Sequence, residues 1–377
     1  MNILNKITKI FKSILKIIFI TFFTILILDL ILGEKVLKII DPYLKETEFY
    51  DKRTRISHPI FHHTFQKNVN FKSVGFDEIL RLCSNQYGFK SSCNYKKKNI
   101  YEFGLLGDSF TEGIGLNYEN TFSGLLEKEL NTSVANLGVS SYSSKVHLAK
   151  LNHYLDKGLK FKHIIIFLDI SDYYDDAYYN FDNNAISIQF SNREKFKIQL
   201  RKYFPFTNYY FYVIKKLKNN SQNNKDLLAN FNTNGEINNW FSNDSVIKKT
   251  NWLYEELNDY KINNKNFLDI HLEKKNYLNK IYELLKKENI KFSLAIYPWP
   301  HNLVTNKNLI FYRDEWKNFC ESKCEFFFDY FKEFEKKIKN DNLINIYKKY
   351  YFWGDVHFNK EGNELIAKKL AEVILDK

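Results

Sequence analysis

Two short stretches carry residue types that suit acyl-transfer chemistry. In LLGDSFTEG, residues 105–113, Ser109 follows an apolar run; in WGDVHFNKEGN, residues 353–363, Asp355 and His357 stand two apart. A serine hydroxyl attacks a carbonyl only when a base takes its proton. Residues two apart in an extended segment point to one side, so Asp355 can reach the imidazole of His357, fix its tautomer and stabilise the imidazolium as Ser109 loses its proton. Each piece also has a plainer use. A serine between strand and helix can cap the helix, Asp355 can be a turn residue, and His357 a surface or capping group. The apolar period starts a helix near Tyr118, which leaves Ser109 in a loop and free for chemistry.

These residues need a scaffold, and from residue 99 the pattern supplies one. Short apolar runs at 99–107, 133–138, 163–170, 291–297 and 325–331 alternate with helical stretches at 118–130 and 145–159, and a helix at 360–375 closes the chain. This alternation predicts an α/β fold with a parallel sheet and crossover helices. Ligands of such sheets bind beyond the carboxyl ends of the strands; the first motif falls at such an end and the second in a late loop before the last helix. Residues 173–270 break the rhythm with an aromatic, Asn- and Lys-rich insertion that includes KNNSQNNKD at 218–226. A strand-free stretch of that length is more often a functional or lid element than a simple connection.

GDSFTEG near the start and DVHFNKEG near the end resemble the first and last sequence blocks of the SGNH (GDSL) hydrolase superfamily, from about residue 99 to the terminus. The resemblance implies a three-layer α/β/α, flavodoxin-like parallel sheet, with Ser109 as nucleophile, His357 as base and Asp355 as its partner. NLGVSSYSS, 136–144, resembles the second block and assigns Gly138 to an oxyanion hole together with the Ser109 N–H. DISD, 169–172, stands where the family has Gly-x-Asn-Asp, so Ser171 becomes the third donor, with a shorter reach than asparagine, and Asp169 brings negative charge. Asp108, Tyr297 and Trp299 are the substrate-binding candidates; the aromatics of IYPWPHN, 296–302, either line the crevice or pack around Pro298 and Pro300. His301 is a rival base without a carboxylate nearby in sequence. The D-x-H spacing resembles a subset that includes exported enzymes acting on polysaccharide acetyl groups. The expected activity is removal of a small acyl group, acetyl foremost, from an envelope or secreted glycan. Alternatives are O-acyl transfer to polysaccharide, lipase or lysophospholipase activity, and glycan binding without catalysis.

Residues 13–32, SILKIIFITFFTILILDLIL, are long enough to span a bilayer and lack a small-x-small cleavage site, so they read as an uncleaved anchor. Lys6, Lys9 and Lys12 precede the span, Lys16 lies in its first turn, and this run of lysines is expected to place the N-terminus in the cytoplasm, with the catalytic domain outside. The expected layout is an anchor over 1–35, a juxtamembrane extension over 36–98 and the hydrolase-like domain over 99–377. Six lysines and two acids in residues 1–40 carry +4 of the net +12, leaving +8 on the remainder. A basic exported surface suits anionic lipid or acidic polysaccharide, or is simply well solvated, and nucleic acid is not expected there. A polysaccharide-assembly or acyl-donor membrane protein is a conceivable partner. Cys83 with Cys93 and Cys320 with Cys324 can form local disulfides, and neither these pairs nor His58, His62 and His63 have metal-ligand spacing. No metal or cofactor is expected.

Overall fold

The computed structural model describes residues 2–40, 55–74, 79–188, 196, 203–204, 206–207, 210, 249–303, 306–353 and 355–376. The chain divides into two compact units, one formed by residues 1–49 with 190–229, the other by 50–189 with 230–377. The Asn- and Lys-rich stretch at 218–226 lies outside the described residues.

In the larger unit the chain runs through β1 (Arg55–His58), β2 (His62–Phe65), β3 (Asn70–Val74), β4 (Ile79–Cys83), β5 (Ile100–Leu106), β6 (Val134–Asn136), β7 (Lys160–Leu168), β8 (Tyr179–Asp182), β9 (Ala185–Ile188), β10 (Lys261–Ile262), β11 (Lys265–Asn266), β12 (Lys291–Ile296) and β13 (Phe327–Asp329). Five of these form one parallel sheet in the order β13-β12-β7-β5-β6. By order of appearance this is 2-1-3-4-5 read from the β6 edge, the doubly wound flavodoxin-like arrangement. All five are the apolar runs seen in the sequence. Their interiors are buried on both faces, as parallel strands under helices must be.

Right-handed crossovers send the helix between β5 and β6 to one face and the helix between β6 and β7 to the other. Accordingly Phe122–Glu129 packs with the closing helix Lys360–Leu375, while Ser144–Asp156 packs with Phe267–Lys287. The first face is fastened across the sequence by Asn363, whose Oδ1 accepts the N–H of Phe122 at 2.9 Å.

Two boundaries differ from the sequence reading. Residues 55–98 are part of the larger unit: hairpins β1–β2 and β3–β4 carry Phe61, Phe65, Leu80 and Leu82 into it, and the Cys83–Cys93 disulfide closes the segment. The edges of the 173–270 stretch are likewise core. Trp252 is fully buried, stacks on Phe267 at 4.9 Å and donates from Nε1 to the Ile170 carbonyl at 3.0 Å. Aromatic side chains there fill the space beside the sheet rather than a lid. Cys320 and Cys324 form the second disulfide.

Candidate active site

β5 ends in Leu106, and the chain then turns sharply at Gly107, where a Cβ would lie 2.0 Å from Thr111 Oγ1. A short helical turn, Ser109–Glu112, begins at once. Its cap is Asp108, whose Oδ1 accepts the N–H of Phe110 at 2.9 Å. Ser109 therefore sits inside the helical turn rather than in the loop that the period suggested. The capping duty passes to its neighbour, and its hydroxyl is left to point elsewhere.

That hydroxyl meets the end of the chain. Ser109 Oγ lies 2.8 Å from His357 Nε2, and the other ring nitrogen, Nδ1, is hydrogen-bonded to Asp355 Oδ1. The same carboxylate oxygen accepts the His357 backbone N–H at 2.9 Å, locking the two residues into one bend. Serine, imidazole and carboxylate thus form a continuous hydrogen-bonded line across 248 residues of sequence.

The rest of the GDSFTEG turn is braced. Glu112 is fully buried, pairs with Arg55 at 2.8 Å and accepts the Ser140 N–H at 2.7 Å. Asn136, at the end of β6, donates to the Thr111 carbonyl at 2.7 Å and accepts the Gly138 N–H at 3.0 Å. Gly138 is thereby corrected as an oxyanion donor: its N–H serves Asn136. The residue is glycine because a Cβ would fall 2.6 Å from Thr111 Cβ and Glu112 N.

The aromatics expected to touch substrate are also corrected. Tyr297 is buried and donates to Asp108 Oδ1 at 3.0 Å; Trp299 is buried and donates from Nε1 to Asp169 Oδ2 at 2.6 Å. Proximity to two carboxylates, not a crevice, explains both. Asp108 is itself buried, a neighbour of the hydroxyl rather than a wall of a pocket. His301 is held against Thr250 at 2.9 Å, and burial pushes it down to about 3, so it is no rival base. Ser171 is buried beside Asp169, whose Oδ1 accepts the Ser171 N–H at 2.6 Å. With donors on both oxygens, Asp169 is satisfied within the protein.

Replacing Trp299 by phenylalanine keeps a ring beside Phe110 but removes the indole donor from Asp169. A buried carboxylate deprived of a donor is expected to cost about 1–3 kcal/mol in urea unfolding. Unchanged stability would show that this bond contributes nothing.

Three electrostatic features were not legible in the sequence. Burial disfavours the charged imidazole of His357, yet Asp355, then Asp108 and Asp169, hold its pKa above the ordinary histidine value. Burial likewise works against ionised Asp355, but His357 brings it below the usual carboxylate range. Asp108 goes the other way: burial, reinforced by Asp169, pushes it up to about 7. Beneath lies a second buried group, with Lys274 Nζ 2.7 Å from Asp172 and 3.5 Å from Asp176, and Lys249 pairs with Asp175 at 3.3 Å. The missed aromatic is Trp353, 46% exposed, two residues before Asp355, with Lys348 Nζ 5.1 Å from its ring centre.

Among solved structures the chain is similar to one described as a lipolytic protein of G-D-S-L family from Desulfitobacterium hafniense DCB-2, with a TM-score of 0.37 and 15% identity, over 73% of this chain and 99% of that chain. No family model and no curated protein matches the chain.

Proposed function

We propose that the protein is a serine ester hydrolase or acyltransferase of SGNH type. The observation that carries this reading is the 2.8 Å approach of Ser109 Oγ to His357 Nε2, with Asp355 on the far ring nitrogen. It is the nucleophile, base and orienting group that acyl transfer requires. Ser109 Oγ bonds to the ester carbonyl carbon while its proton passes to His357 Nε2. The tetrahedral intermediate collapses, the bond to the leaving alcohol breaks, and His357 gives that alcohol its proton. Water or an acceptor hydroxyl then releases the acyl group by the same steps in reverse. The Ser109 N–H and Ser171 Oγ are the oxyanion donors of this reading, since Gly138 N–H is engaged.

The natural ester, on this reading, is a small acyl group, acetyl foremost, on an envelope glycan, and the support for it is the Asp-x-His spacing and the basic balance of the chain. Trp353 takes the place of Tyr297 and Trp299 as the aromatic offered to a sugar ring, because it is the one of the three that solvent reaches. The protein sits in the cytoplasmic membrane with its N-terminus inside and its catalytic unit outside, next to polysaccharide-assembly or acyl-donor membrane proteins. Lysines at the head of the N-terminal helix and two disulfides, bonds of oxidising compartments, support that placement.

A fluorophosphonate probe tests the chemistry without knowledge of the substrate. It is expected to phosphonylate Ser109, seen as a single modified peptide by mass spectrometry. The base must be neutral to accept the proton, and His357 has a raised pKa. The labelling rate is therefore high in alkali and falls as pH drops through a value above 6.5. In Asp355→Asn the acid limb moves to lower pH and the plateau drops. Labelling at another residue, or a rate indifferent to pH, overturns the assignment.

A further inference from the structure

The N-terminal helix, Asn2–Ile40, contains one span, Ile7–Gly33, long and apolar enough to cross a membrane. Its burial pattern is inverted relative to a helix of a water-soluble core. Ile17, Phe19, Phe22, Leu30 and Ile31 are exposed by half or more, whereas Asp29 is only 4% exposed. The hydroxyls of Ser13 and Thr24 are folded back onto the carbonyls of Lys9 and Ile20. Apolar groups outside, hydroxyls bonded to the helix's own carbonyls and the carboxylate buried: that is the arrangement hydrocarbon demands.

What satisfies Asp29 comes from far along the chain. Its Oδ1 accepts the N–H of Phe206 at 2.9 Å and its Oδ2 the N–H of Thr207 at 2.7 Å. An ionisable side chain within a span is costly unless its partners are built in, and here both carboxylate oxygens have one. Residues 190–229 group with the anchor in the same compact unit. The composition around the contact fits the same place. FPFTNYYFYVIKK, 204–216, holds six aromatics and then two lysines, and Tyr203 and Tyr210 stand 48% and 55% exposed. Tyrosines gather at the level of lipid headgroups, with lysines beyond them in water. Asp29 lies four residues before Gly33, about 6 Å of helix rise from the end of the span, which is headgroup depth.

We propose that the segment around Tyr203–Tyr210 is a second membrane-seated element, docked on the anchor through Asp29 and immersed in the outer headgroup zone of the bilayer. The partner of this surface is lipid. Because the segment leaves the catalytic unit at residue 189 and returns to it at 230, the chain meets the bilayer twice, and the second meeting is held by a side chain inside the first. The inference rests on reading the N-terminal helix as a bilayer span.

The test uses the full chain in native membranes and a membrane-impermeant maleimide. All four native cysteines are in disulfides, so introduced thiols report alone. Tyr210→Cys is expected to label slower than Lys96→Cys on the catalytic unit by about tenfold, the ratio that about 1.4 kcal/mol of lipid residence produces. Detergent should abolish the difference. Asp29→Ala should release Tyr210→Cys to rapid labelling, while Asp29→Asn, which keeps one of the two acceptors, should preserve part of the protection. Equal labelling at both positions in intact membranes, with the protein still resisting alkaline carbonate extraction, overturns the docking alone. Release of the protein by carbonate overturns the anchor as well.

Discussion

Replacing Ser109 by alanine is expected to reduce turnover of 4-nitrophenyl acetate by about ten thousand- to a million-fold, leaving thermal unfolding nearly unchanged. The effect is large because Ser109 Oγ is the group placed 2.8 Å from His357 Nε2, and removing it takes away the nucleophile of the proposed mechanism. The fold should tolerate the change, since the capping bond of that turn belongs to Asp108. Ser140→Ala is the control: its backbone N–H, not its side chain, is held by Glu112, and it should retain activity. Full turnover by Ser109→Ala would remove the mechanism. An inactive wild type that still retains acetylated glycan would favour binding without catalysis, and faster cleavage of long-chain than acetyl esters would favour a lipase.

Replacing Lys274 by methionine is expected to destabilise the protein by about 3–5 kcal/mol, the consequence of breaking a buried ion pair by removing one partner. Lys274 and Asp172 are both essentially inaccessible to solvent, and Asp176 shares the ammonium. Burial already drives Asp172 well above the ordinary carboxylate range even with Lys274 beside it. Without the lysine the folded-state pKa rises further. A carboxyl with a raised folded pKa costs stability above its unfolded value and is relieved by protonation, so the penalty should grow with pH and shrink in acid. Urea unfolding at acid and neutral pH reads both the size and the slope. Asp172→Asn in the same chain should recover part of the loss. A penalty that does not vary with pH would mean that Lys274 acts through packing alone.

The sheet was legible because buried parallel strands are apolar almost throughout, and 163–170 and 291–297 announce themselves without alternation. The meeting of Ser109 with His357 was legible because GDSFTEG and DVHFNKEG together resemble the first and last blocks of one superfamily; either motif alone reads as well as a cap or a turn. Which hydroxyl or N–H faces a developing charge was not. The resemblance of NLGVSSYSS to the second block points to Gly138, yet three-dimensional proximity to Thr111 sets its identity and Asn136 takes its N–H. Tyr297 and Trp299 read equally well as walls or as fillers, and only the positions of Asp108 and Asp169 decide. The hairpins of 55–83 were not legible because the partners of their apolar residues lie elsewhere in the chain.

The bond between Asn363 and Phe122 and the arrival of His357 have a temporal meaning. Synthesis proceeds from the N-terminus, so the serine-bearing turn emerges some 250 residues ahead of the imidazole it meets. On the proposed mechanism, the nascent chain carries an unactivated hydroxyl and is chemically silent until the final helix docks. Any product cut short before residue 357 stays silent for good, so completion of the polypeptide is itself the licence to react.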